Sequence, residues 1–98
     1  MQAKIEVLDL TKIAAGTMIH VQTRNTLYVI EMRHDDILIS GNKTYCPEPT
    51  PCSRLGSGWW YGDIHEGRLC LEEHMRFLIE GEGLIITTPI QSIEVVSA

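Results

Sequence analysis

Apolar and polar residues alternate along most of this chain. In residues 17–23, Ile19 and Val21 share one face while Met18, His20 and Gln22 share the other. That period of two predicts a strand. Arg24-Asn25 reads as a reversal into a second strand over 26–33, where Leu27 and Val29 oppose Tyr28, Ile30 and Met32. His34-Asp35-Asp36 predicts another turn, and residues 37–40 a third strand. Gly41-Asn42 is a two-residue hairpin signal leading into a strand over 43–46. Later in the chain, strands are expected over 73–80, 84–88 and 90–96, the first two joined by a turn through Gly81-Glu82-Gly83. Ahead of all of these, residues 9–16 predict a short helical turn. Asp9 is its N-cap, Gly16 its stop, and Leu10, Ile13 and Ala14 form one face.

Short strands joined by tight turns predict an all-β protein, a small antiparallel β-barrel or rolled sandwich with one short N-terminal helical turn. One segment also fits an α+β alternative. Leu71, Met75, Leu78 and Ile79 recur at helical spacing, so residues 68–80 would suit an amphipathic helix. Met75, Phe77 and Ile79 alternate equally well, and the strand is preferred because the following glycine turn then closes a hairpin. Ninety-eight residues leave room for a single domain over 1–98.

The strand over 26–33 is apolar on both faces, whereas a solvated sheet shows one polar face. Either a second layer of the domain covers Tyr28, Ile30 and Met32, or another copy does. Self-association through these three residues is therefore expected.

Residues 45–62 break the alternation. Three of the four prolines, two of the three cysteines and both tryptophans lie there. Proline lacks a ladder donor and biases its predecessor toward extended geometry, so this stretch is expected to be a long loop. Trp59, Trp60 and Tyr61, with Pro49 nearby, form the candidate surface for a partner or flat ligand, since aromatic grooves suit extended segments. The plainer alternative is a small satellite core in which the prolines fold over one tryptophan.

Composition narrows the function classes. Net charge is −5, which repels phosphate backbones and argues against nucleic acid. No apolar run is long enough to span a bilayer or to serve as a signal peptide, so a cytoplasmic protein with no membrane partner is expected. Three cysteines, an odd number, fit a reducing compartment. Cys46 and Cys52 are six apart, too far for the usual zinc knuckle, and an extended proline run would hold them roughly 18 Å apart. Cys70 and His74 would share a face only on a helix. Neither a metal nor a cofactor is expected. For catalysis, Cys52, Ser53 or Ser57 with Asp63 and His65 supply the residue types but no defensible arrangement.

The phrases Gly16-Thr17, Thr23-Arg24-Asn25-x-x-Tyr28, Gly56-Ser57-x-Trp59 and Thr87-Thr88-Pro89-Ile90-x-Ser92-Ile93 occur in this order. Over residues 16–95 they resemble a set of short bacterial β-proteins that have no assigned activity. The resemblance implies strands and turns and carries no chemistry. The doubled tryptophan and the cysteine-bracketed prolines are not part of its pattern. The function expected is a non-enzymatic binding or assembly module that uses residues 45–62. The first alternative is a barrel enclosing a small molecule. The second is a metal-dependent enzyme or a nucleic-acid-binding barrel.

Overall fold

Alternation in the sequence becomes inside and outside in the fold. The computed structural model describes residues 4–59 and 64–96. Its strands are β1 (Val7–Asp9), β2 (Met18–Thr23), β3 (Leu27–Met32), β4 (Ile37–Ser40), β5 (Thr50–Gly58), β6 (Ile64–Glu66), β7 (Arg68–Cys70), β8 (His74–Ile79) and β9 (Gly83–Val96). A 3₁₀ turn, Leu10–Lys12, follows β1. The Asp9 side chain caps it by accepting from the Thr11 N–H at 3.0 Å, as the sequence predicts. The protein is all-β and its strand pairing is antiparallel.

Seven strands pair in the order β4-β3-β2-β9-β8-β5-β6, and β4 also pairs with β5. The pairing therefore returns on itself as a ring, with β6 attached outside it along β5. Strand β9 makes this possible: its first half pairs with β8 and its second half with β2. Register shifts in the β5–β8, β8–β9 and β2–β9 ladders mark where the sheet bends. Inside the ring, Ile19, Val21, Ile30, Ile39, Met75, Phe77 and Ile90 are almost completely buried. Phe77 meets Tyr28 edge-on, with ring centroids 5.9 Å apart and planes at 70°. The separate β1–β7 pair lies beside β5 and brings Leu10 and Leu69 into the same core.

The structure decides one alternative in favour of the expected strand and corrects three expectations. Residues 68–80 are not helical but form β7, a turn and β8. Met75, Phe77 and Ile79 are buried at a period of two, and Glu72 has a left-handed φ of 72°, which breaks any helix. Residues 43–46 are a turn rather than a strand. The Asn42 side chain holds it by accepting from the N–H groups of Thr44 and Tyr45 at 2.9 and 3.0 Å. The stretch 45–62 is not one long loop, because residues 50–58 within it are the nine-residue strand β5. At Pro51 that strand pairs only with β4, so the missing N–H can sit at an open edge.

The third correction concerns Tyr28, Ile30 and Met32. All three are buried within the single chain, at 3%, 0% and 7% exposure. The ring itself supplies the second layer over this face. Asn42 Nδ2 donates to the Tyr28 hydroxyl at 3.1 Å, so even its polar end has an internal partner. The interior is filled by these and the other buried core side chains.

Candidate functional site

Between Ser53 and Gly56 the β5–β8 register shifts, and Arg54 sits there with a left-handed φ of 53°. For a non-glycine residue this is uncommon, and a bulge is one of the places that tolerates it. Beyond the bulge, β5 runs between β8 and β6. Gly56 is paired with Arg76 on one side and Glu66 on the other, and Gly58 with His74 and Ile64. Paired residues point to the same face of a sheet. The glycines therefore leave a low floor between two rows of side chains.

That floor belongs to a groove of about 230 Å³ lined by Arg54, Ile64, Glu66, Arg76, Leu78 and Leu84. Ile64 and Leu84 are exposed at 48% and 49%, an unusual amount for large aliphatic side chains facing one another. Trp59 follows Gly58, the residue opposite Ile64, and is 56% exposed. At the rim, Arg54 Nη1 lies 3.6 Å from Glu66 Oε1 with both side chains largely in solvent, a weak pairing. Arg76 differs. Its Nε is buried and has no hydrogen-bond partner among the described residues. Buried guanidinium donors are normally paired, so this one stands out.

Of the residues singled out from the sequence, Trp59 is exposed one residue beyond Gly58 and is not part of the groove lining. Pro49 is exposed just before β5, at the far end of that strand. Trp60 and Tyr61 lie outside the described residues. Arg76, Ile64 and Leu84 were missed. The signal that pointed to them is the spacing of Gly56 and Gly58, which a strand tolerates only where something must lie close.

Among the described residues, the catalytic residue types do not assemble into a reactive site. Register sets Ser57 opposite His65, but the Ser57 side chain is completely buried. Its Oγ accepts from the Cys70 N–H at 3.0 Å and lies 3.1 Å from the Arg68 carbonyl and 2.9 Å from Glu73 Oε1. His65 Nδ1 accepts from Arg68 Nη2 at 2.9 Å. Asp63 lies outside the described residues. The His74 Nδ1–H donates to the Thr87 carbonyl at 2.7 Å.

All three cysteines are free. Burial raises the thiols of Cys46 and Cys70 above the ordinary value, the reverse of what activates a nucleophile. Cys52 is pushed up to about 12, first by burial and then by the charge of Cys46. Among the described residues, no group of three or more His, Cys, Asp or Glu could hold a metal ion. Nor is any described helix long and apolar enough to cross a membrane.

Comparison with known proteins returns no match: no family model, curated protein or solved structure is significantly similar to this chain. Two of the four motif phrases meet in space. The Arg24 N–H donates to Thr88 Oγ1 at 3.0 Å, tying the β2–β3 turn to β9. Their role is to fix a corner of the ring.

Proposed function

We propose that this protein is a non-enzymatic binding module whose contact surface is the outer face of β5, β6, β8 and β9. The observation that carries this reading is the coincidence of exposed Ile64 and Leu84 with a groove that holds an unpartnered arginine nitrogen, with exposed Trp59 one residue beyond Gly58. Exposed aromatic and aliphatic anchors beside arginine are the composition of an interface centre. Self-association through Tyr28, Ile30 and Met32 would require the core to unpack, so the surface proposed is the groove instead. The likeness to short bacterial β-proteins adds no activity to this reading.

Photo-crosslinking tests it. A benzophenone amino acid placed at Ile64, in the cells that make the protein, is expected to yield discrete adducts. The same probe at Glu94, exposed on the second half of β9, is expected to yield none. Equal labelling at both positions, or none at Ile64, would sink the proposal.

A further inference from the structure

We infer that the groove captures the C-terminus of a partner polypeptide that ends in an aliphatic residue. Arg76 takes the terminal carboxylate, while Ile64, Leu78 and Leu84 take the last side chain. This rests on the binding reading above and names what is bound.

Four observations lead there. First, Arg76 Nε is buried without a hydrogen-bond partner among the described residues. A guanidinium presents parallel N–H groups that a carboxylate satisfies in pairs, giving a shorter and stronger contact than a neutral acceptor. Second, the lining carries Arg54 and Arg76 against Glu66 alone, a net positive spot on a chain of net charge −5. Such a spot selects an anion from an otherwise repelling surface.

Third, the remaining lining is aliphatic, and about 230 Å³ is less than the roughly 300–1,000 Å³ of pockets that enclose a small-molecule ligand. The space suits a single residue, so further affinity must come from contacts outside it. Fourth, those contacts are at hand. Strand β6 ends the strand order and pairs only with β5 among the described residues, which leaves its outer backbone edge open to an extended segment. Ile64, the first residue of that strand, is exposed.

Amide NMR titrations of the intact protein would test this with three probes: acetyl-Ala-Ser-Ala-Leu with a free carboxylate, its C-terminal amide, and isocaproate. The free-acid peptide is expected to shift signals of Arg54, Ile64, Glu66, Arg76, Leu78 and Leu84. The amide should bind about tenfold or more weakly, because it loses the charge-assisted pair. Isocaproate should also be weaker by about tenfold, lacking the backbone that β6 pairs. Arg76→Gln should erase the acid–amide difference with circular dichroism unchanged. If that variant does not fold, the acid–amide comparison on the unaltered protein decides alone.

Equal binding of acid and amide would overturn the carboxylate role, and isocaproate matching the peptide would overturn the polypeptide. Groove signals that stay fixed with all three, while Ile64 still crosslinks to a partner, would overturn this inference and leave the binding reading standing. Loss of the Ile64 crosslink instead would remove the reading beneath it.

Discussion

At the scale of single residues, the groove depends on an atom that is absent. A Cβ built on Gly56 would lie 2.3 Å from the His65 carbonyl oxygen and 2.8 Å from the Glu66 Cα. Both are backbone atoms of β6, which cannot swing aside as a flexible side-chain end would. Gly56→Ala is therefore expected to push β6 away from β5 and widen the groove floor. Clashes of this kind typically lower stability by about 1–3 kcal/mol. Hydrogen exchange should show the loss concentrated in residues 64–66, with β2 and β3 still protected. Uniform loss of protection, or none, would mean that β6 is not held by this close approach. Gly41 has the same kind of constraint, since it combines a φ of +120° with a 2.3 Å approach to the Leu27 carbonyl. It guards a turn rather than the groove.

At the scale of elements, Ser57 joins three of them. Its hydroxyl lies within hydrogen-bond distance of the Arg68 carbonyl and the Cys70 N–H on β7, and of Glu73, just before β8. Ser57→Ala would leave the Cys70 N–H without that acceptor in a partly buried setting. A loss of about 1–3 kcal/mol is expected, read as a lower urea midpoint with an unchanged slope. A stability within experimental error of the parent would show that water or backbone movement replaces the hydroxyl.

The same region shows what was and was not legible beforehand. Strands β2, β3 and β8 follow from alternation and β4 from its apolar run between turns, whereas the sequence predicts two strands, 84–88 and 90–96, where the fold has the single strand β9 running through Pro89. Strands β1, β6 and β7 have only three residues each and were not recognised, since three positions cannot establish a period. Strand β5 was hidden by its proline and glycines, which local rules read as loop. Its pairing to β4, β6 and β8 overrides those preferences. Trp59 was singled out from the sequence, and it is exposed. Arg76 was not, because its distinguishing property is a missing partner, and only the fold determines who its neighbours are.

At the scale of the whole molecule, ring closure keeps ionisable groups out of water, and the consequence appears at alkaline pH. Cys52 ordinarily ionises near 9.0, but in the fold it is pushed up to about 12, by burial first and then by the charges of Cys46 and Asp36. Below about pH 9 the thiol is protonated whether the chain is folded or not, and stability is unaffected by it. Between about 9 and 12 the unfolded chain has released this proton while the folded one still holds it. Fewer protons on the unfolded state means that stability falls as pH rises. For one such group the slope approaches about 1.4 kcal/mol per pH unit. Cys46, Cys70 and Tyr28 are shifted up as well, each first by burial, and they add to the fall. Urea midpoints measured in steps from about pH 8 to about pH 11 should therefore drop steeply for the natural sequence. Cys52→Ala should flatten the curve by up to one proton's worth and leave the smaller contributions of the other three. Iodoacetamide should likewise alkylate Cys52 far more slowly than a free thiol at pH 9, with the rate recovering in urea. Identical alkaline slopes with and without Cys52, together with rapid alkylation in the folded state, would place that thiol in water and open the ring at the β4–β5 pairing.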